Sequence, residues 1–393
     1  MNVEGEILIE LYRSQGRVEK VVIRSSRPLQ LTALFEGKSV NELLRVVPML
    51  YSVCATAQAC AAAQACRQAM ALNGDIRVEF AEKMLVDVET AREHLWRLLI
   101  DWSNYAEEPV DRPLVSSLST LLPAAKSACF GEGGLFTLEP ALSLDGERFE
   151  SVIERLSKAA AEAVFSMPPA EWYAIDTAEM FDRWLDQTST APAKLLRRIR
   201  DRQTGRLADA GANPLPSIDP LALCRRLGDE DAEQFVATPD WMGARLETTS
   251  LTRMVSHPLL QNLSEHYGFG LMTRLTARLL ELAAIPGRLS DQLEGLRGDR
   301  IDTGSSGSKT GVGEGLSEVE AARGRLIHRA VVEQGKIAKY QILAPTEWNF
   351  HPRGMVAKGL LSLPAVETSQ LKAYADLFIN TVDPCVGYRL EVV

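Results

Sequence analysis

Glu320-Ala321-Ala322-Arg323-Gly324, followed by Leu326-Ile327-His328-Arg329-Ala330-Val331-Val332, Gly335-Lys336-Ile337, Tyr340-Gln341 and Pro345-Thr346-Glu347-Trp348-Asn349, is the stretch on which the fold of this chain turns. Leu326 to Val332 and Ile337 to Leu343 carry β-branched and aromatic residues on either side of a turn at Gln334-Gly335-Lys336, which predicts a hairpin. A second hairpin is expected near the other end, from Glu6 to Ser25. There Ile7, Ile9 and Leu11 alternate, the turn falls at Gln15-Gly16, and Val18, Val21 and Ile23 follow. Between the hairpins, apolar residues recur at three- and four-residue spacing over 40–47, 52–72, 79–104, 148–164, 171–186 and 268–296, the period of amphipathic helices. The fold class expected is α+β, mainly α-helical, a helical body with flanking β-hairpins.

Composition narrows the function classes. Of 393 residues, 46% are hydrophobic and 24% charged, ordinary for a globular protein. The formal net charge is −9, and Arg197-Arg198-Ile199-Arg200 is the only basic run, which argues against a nucleic-acid or anionic-membrane surface. No apolar stretch approaches the ~18–20 residues a membrane span needs. The acidic start, unlike a signal peptide, and six cysteines without repeated short spacing make a cytoplasmic protein the expectation. Gly-, Pro- and Ser-rich segments at 107–124, 130–134, 203–219 and 301–316 read as breaks, the last as a flexible loop. Its Ser308-Lys309-Thr310 lacks the glycine that precedes lysine in a phosphate-binding loop.

The chemistry concentrates in two cysteines far apart in sequence. In Tyr51-Ser52-Val53-Cys54-Ala55-Thr56-Ala57-Gln58, Pro48 disfavours an incoming helix and Ser52 is a good N-cap. Cys54 is then expected in a first helical turn, where the dipole favours thiolate. Tyr51, Cys54 and Gln58 share a face at that spacing. In Asp383-Pro384-Cys385-Val386-Gly387-Tyr388 the same expectation makes Asp383 an N-cap and Pro384 the first helical residue. Cys60 and Cys66 are rotated away from Cys54 and read as small core residues. His328 falls on a strand face and reads as packing, and His94, His257, His266 and His351 form no ligand spacing.

These segments resemble the two metal-binding motifs of the large subunit of nickel–iron hydrogenases, C-x-x-C-x-x-x-H and D-P-C-x-x-C-x-x-H. Tyr51 stands for the first Cys, Cys54 for the second and Gln58 for the His. At the far end Cys385 stands for the first Cys, Tyr388 for the second and Glu391 for the His. Glu4-Gly5-Glu6 is similar to an opening E-G-H, and Phe35-Glu36-Gly37-Lys38-Ser39 to F-R-G-x-E. Glu247-Thr248-Thr249-Ser250-Leu251-Thr252-Arg253 resembles E-T-G-P-x-A-R, and Arg274, Ala277, Arg278 and Glu281 resemble R-x-x-A-R-x-x-E. The 320–353 stretch looks like E-A-P-R-G-x-x-x-H, G-K-I, Y-Q and P-T-T-W-N-x-x-P-R, with Pro changed to Ala322. Loss of two Cys and both His of the metal motifs from a retained frame is the pattern of the large-subunit-like maturation proteins called HupK or HoxV.

The resemblance implies one hydrogenase large-subunit-like domain over 1–393, with a divergent helical middle at about 107–240. It implies a non-catalytic scaffold that transiently holds the Fe(CN)2(CO) unit and passes it to the large-subunit precursor, alongside HypC-type and HypD-type maturation proteins. Cys54 and Cys385 are the expected iron ligands; by position Cys385 matches a cysteine that touches only nickel, so either it swings toward the iron or a partner protein supplies the second thiolate. No nickel is expected, because a four-sulfur site cannot be rebuilt. Arg323 is expected to donate to cyanide nitrogens. Glu4, Tyr51, Gln58, Tyr388 and Asp383 are expected around the metal, the two tyrosines filling the space of nickel. The chain lacks the extension after D-P-C that a protease removes from the enzymes, which fits a protein never processed. Two other readings carry their own expectations: a divergent hydrogenase large subunit with redox activity, and a metal-free assembly chaperone.

Overall fold

The computed structural model describes residues 5–72, 74–131, 134–298 and 313–393. Glu4 and residues 301–312 of the expected flexible loop lie outside the described residues. Both expected hairpins form. β1 (Glu6–Ser14) and β2 (Arg17–Ser25) pair antiparallel around Gln15-Gly16, burying Ile7, Ile9, Leu11, Val18 and Ile23. Each hairpin gains a third strand that the pattern did not disclose. β3 (Glu314–Ala321) adds to the pair β4 (Gly324–Glu333) and β5 (Lys336–Leu343), giving the order β3-β4-β5. The described end of the Gly/Ser-rich segment is thus strand from Glu314 onward, not loop. β6 (Gly387–Val392) adds to β1 in parallel, Glu6 opposite Gly387 and Leu11 opposite Val392.

The helical body packs against both sheets. α1 (Val40–Leu50) starts from a capping box, with Ser39 accepting from the Glu42 N–H and the Glu42 carboxylate accepting from the Ser39 N–H. It runs through Pro48, which was expected to stop it. In the last turn the missing N–H sacrifices one helical bond, and Val40, Leu43, Leu44 and Val47 hold the helix by burial. α2 (Ala55–Ala69) is Ala-rich and almost wholly buried, packed between α1, α3 (Ile76–Arg97) and the β3-β4 face. Ala gives it the best helix propensity and the small side chains that close approach on several sides requires.

The long helix Leu271–Arg297 crosses α3 and supports the helix Thr368–Val382. The middle region is helical, including Arg112–Leu118 inside the 107–124 stretch read as a break and Leu121–Phe130, which begins within it; Asp111 accepts from the Leu114 N–H to start the first of these. One hydrophobic core runs through both sheets and most helices. A smaller cluster packs Leu223, Leu227 and Phe235 onto Ile327, Leu343 and Trp348.

The C-terminal cysteine is not in a helix. Asp383 caps the end of helix Thr368–Val382 in the left-handed region (φ 62°, ψ 79°), the reverse of the N-cap expected. Cys385 follows in the loop that leads to β6. Pro384 cannot continue the preceding helix, and the β1 edge offers the next residues a strand partner.

Candidate functional site

The segment Ser52–Cys54 makes one 3-10 turn and Cys54 becomes the N-cap of α2. Parallel pairing of β6 with β1 brings the other end of the chain alongside. Arg27, Tyr51, Val53, Cys54, Cys385 and Val386 line one cleft, so the two thiols share a cavity despite their sequence separation. They are also the two partly exposed cysteines; Cys60, Cys66, Cys129 and Cys224 are buried. Gln58 Nε2 donates to Cys54 Sγ at 3.7 Å, the face expected from the spacing, and Thr346 Oγ1 lies 3.0 Å from Cys385 Sγ.

The expected thiolate at Cys54 does not hold for the metal-free protein. Burial, then the adjoining Cys385 and Glu89, pushes the Cys54 thiol up to about 12, against weaker pulls from Arg323 and Gln58. The helix dipole is already used: Glu89 on α3 accepts from the Thr56 N–H at 2.8 Å and the Ala57 N–H at 3.0 Å. A soft metal must therefore displace the Cys54 proton to bind there.

Arg323 comes to this cleft through a staple of hydrogen bonds. Asn349 Nδ2 donates to the carbonyls of Thr248 (2.8 Å) and Arg323 (3.1 Å), while its Oδ1 accepts from the Thr248 N–H at 2.8 Å. Gly324 sits at φ 128°, and a Cβ there would stand 2.0 Å from the Thr248 carbonyl oxygen, so the residue after Arg323 must be glycine. The three motif segments are thus one contact. Arg323 Nη2 pairs with Glu93 at 3.1 Å and Nε with Asp383 at 3.4 Å. Its Nη1 is buried with no hydrogen-bond partner among the described residues. Charge on either cysteine favours the Arg323 cation, after the larger effects of Asp383 and Glu93, though its guanidinium is not among the groups that line the cleft.

Asp383 is an anchor rather than a ligand. Arg97 at 2.9 Å, Arg323 at 3.4 Å and Arg278 at 3.8 Å surround it. Burial pushes its carboxyl up, but the three guanidiniums outweigh burial and hold it below the ordinary carboxylate range. Tyr51 lines the cleft, and burial raises its phenol. Tyr388 does not line it. Its hydroxyl donates to Asp376, which also accepts from Tyr105 Oη at 2.6 Å, so only one of the two phenols stands in the thiol cleft. Glu391 lies on β6 beside Arg389, 3.7 Å from its Nε.

Sequence reasoning missed Arg27, Glu89, Arg97, Thr346 and Glu347. Arg27 Nη1 donates to Glu347 Oε1 at 2.8 Å and its guanidinium carbon lies 5.6 Å from the Tyr51 ring centroid. The signal for Glu89 was present: Glu82, Glu89 and Glu93 fall on one face of α3 at spacings of seven and four, and all three are buried. The signal for Glu347 was its departure from P-T-T-W-N. Among the described residues no group of three or more His, Cys, Asp and Glu side chains is arranged as a metal site.

The fold is similar to that of the nickel–iron hydrogenase large subunit. The nickel-dependent hydrogenase family matches residues 223–385. The [NiFeSe] hydrogenase of D. vulgaris Hildenborough superposes with a TM-score of 0.64 over 95% of this chain and 94% of its own, at 14% identity. An NAD+-reducing [NiFe]-hydrogenase gives 0.62 over 94% and 93%.

More particularly, the chain is a homologue of the hydrogenase expression/formation proteins HupK and HoxV. It is 29% identical to HoxV of Cupriavidus necator over 94% of this chain and 92% of that protein. It is 29% identical to HupK of Rhizobium leguminosarum bv. viciae over 99% and 96%, and 28% identical to HupK of Azotobacter vinelandii over 99% of both.

Proposed function

We propose that this protein is a non-catalytic scaffold of hydrogenase formation, acting in the cytoplasm, that holds an Fe(CN)2(CO) unit in transit to the hydrogenase large-subunit precursor. HypC-type and HypD-type maturation proteins are the partners the resemblance implies. The observation that carries the reading is the pairing of two partly exposed thiols with a buried guanidinium nitrogen that lacks a partner. Thiolate sulfur suits low-spin iron, and Arg323 Nη1 is a donor suited to a cyanide nitrogen. Two protein ligands in place of four, with the raised Cys54 thiol having to give up its proton to bind, give a grip weak enough for release. Nickel has no part in it, because Tyr51 and Tyr388 stand where the enzymes carry the other two cysteines.

The cleft itself offers only about 10 Å³, roughly the room of one water, so the metal-free reading keeps a specific observation in its favour. One experiment separates the readings. Protein isolated from cells with the maturation machinery is expected to contain iron without nickel and to show carbonyl and cyanide infrared bands, lost in Cys54→Ala and Cys385→Ala. Bands that persist in both variants reject the thiol assignment. Protein without iron favours the metal-free chaperone, and stoichiometric nickel with hydrogen-dependent dye reduction favours the enzyme.

A further inference from the structure

The thiol cleft has a larger neighbour. A cavity of about 230 Å³ opens beside it, its walls including Ile7, Ile23, Ala237, Phe350 and Pro352. The two cavities share Arg27 as a wall. Thr346, whose hydroxyl touches Cys385 Sγ at 3.0 Å, also faces the larger one. The larger cavity therefore reaches within one side chain of the sulfurs.

Arg27 is held from three directions, two on its side chain and one on its backbone. Glu347 Oε1 accepts from Arg27 Nη1 at 2.8 Å, and the Tyr51 ring centroid stands 5.6 Å from the guanidinium carbon, within cation–π range. Gly5, at φ 77°, braces the backbone: a Cβ there would come within 2.6 Å of Arg27 Cα. The pair is buried, 9% of the Arg27 side chain and 5% of the Glu347 side chain being exposed. A buried ion pair contributes little net stability over an apolar pair, so stability does not account for this one. Glu347 Oε2, moreover, has no hydrogen-bond partner among the described residues, although the residue is 7% exposed and lines the larger cavity. Both groups that fix Arg27 are departures from the enzyme motifs: Tyr51 stands for a Cys and Glu347 for a Thr. The two changes meet on one guanidinium.

We propose that Arg27 is a gate and the larger cavity a port, a second binding site that admits a compact metal unit whose outer atoms accept hydrogen bonds, as cyanide nitrogens do. The thiol cleft by itself has no room for iron bearing three diatomic ligands. Swinging Arg27 off Glu347 joins the two spaces and turns guanidinium donors toward the incoming acceptor atoms. The identity of the cargo rests on the scaffold reading above; the gate does not.

The test is alkylation of the purified full-length protein by iodoacetamide, with rates read cysteine by cysteine by peptide mass spectrometry. In Glu347→Thr and in Arg27→Gln, Cys54 and Cys385 are expected to react about tenfold faster or more, the scale of losing one charge-assisted hydrogen bond. Buried Cys60, Cys66, Cys129 and Cys224 are expected to keep their rates. Ala237→Phe, which fills the port without touching the gate pair, is expected to slow both cleft thiols. Unchanged rates at Cys54 and Cys385 overturn the gate, and so does a rise shared by the four buried cysteines. Rates that respond as expected in a protein never found with iron leave the gate standing and end the scaffold reading. Infrared bands present while the rates stay fixed do the opposite.

Discussion

Acid should find His328 before it finds most of the carboxylates. The imidazole is fully buried on β4, with Nδ1 2.6 Å from Tyr340 Oη and Nε2 without a partner among the described residues. Burial first, and the Arg27 cation second, hold its pKa down to about 3. In the unfolded chain it returns to about 6.5. Between those values the unfolded state binds the extra proton, so stability rises with pH from about 3 to about 6.5 and is flat above. Each unit of acidification below 6.5 removes about 1.4 kcal/mol, about 2 kcal/mol at pH 5 relative to pH 8. Urea unfolding followed by circular dichroism at pH 8, 6 and 5, in wild type and His328→Gln, measures it. The variant is less stable at pH 8 but is expected to lose about 2 kcal/mol less on going to pH 5. His94, which burial also holds below its usual value, is present in both proteins and cancels in the comparison. Curves that fall in parallel would falsify the account of His328 as a neutral, packed side chain.

Two substitutions probe the frame of the cleft. Asp383→Asn keeps a residue that tolerates the left-handed cap but strips the charge facing Arg97, Arg278 and Arg323. It is expected to lower stability by about 3–5 kcal/mol in urea unfolding, since it leaves buried guanidiniums uncompensated. A loss below about 1 kcal/mol, the range of exposed pairs, would refute the anchor role. Gly324→Ala forces a methyl against the Thr248 carbonyl at a φ of 128° and is expected to cost about 2–4 kcal/mol. Gly335→Ala, in an open turn with nothing within 4 Å, is the comparison, and an equal cost at both would show that the contact with Thr248 contributes nothing.

The sequence disclosed what local pattern determines. Alternation in Ile7-x-Ile9-x-Leu11 and the Gln15-Gly16 and Gln334-Gly335 turns specified the hairpins, and the 268–296 period specified the long helix. Local rules failed where a distant partner decided. Asp383-Pro384-Cys385 reads as a helix start by capping chemistry, yet three arginines from other segments fix Asp383 as a helix end. The dipole argument for a Cys54 thiolate failed because Glu89, thirty-odd residues away, already occupies the α2 amides. Glu314 onward looked like loop because its Gly/Ser-rich approach carries no period, and only pairing with β4 makes it strand. Arg27 had no local mark at all; its meaning lies in Tyr51 and Glu347.

The position of Cys385 follows from the sheet rather than from its own motif. β6 docks on β1 in a parallel register, and Val393 closes it by donating to the Leu11 carbonyl at 2.8 Å and accepting from the Arg13 N–H at 2.9 Å. The N-terminal hairpin therefore does two tasks, one from each strand. It fixes the C-terminal thiol through β1, and through the residues just past β2 it carries Arg27 to the same place. Thiol and gate thus hang on a single hairpin: displacing β6 from β1 would free Cys385, while Arg27 would stay on the hairpin side with Glu347. An iron unit held by two sulfurs, one from the α2 N-terminus and one from this loop, would lose half its protein ligands at that moment. A four-thiolate site would retain a grip after such an event, and a two-thiolate site would not, which is the physical sense in which the tyrosine replacements suit a carrier.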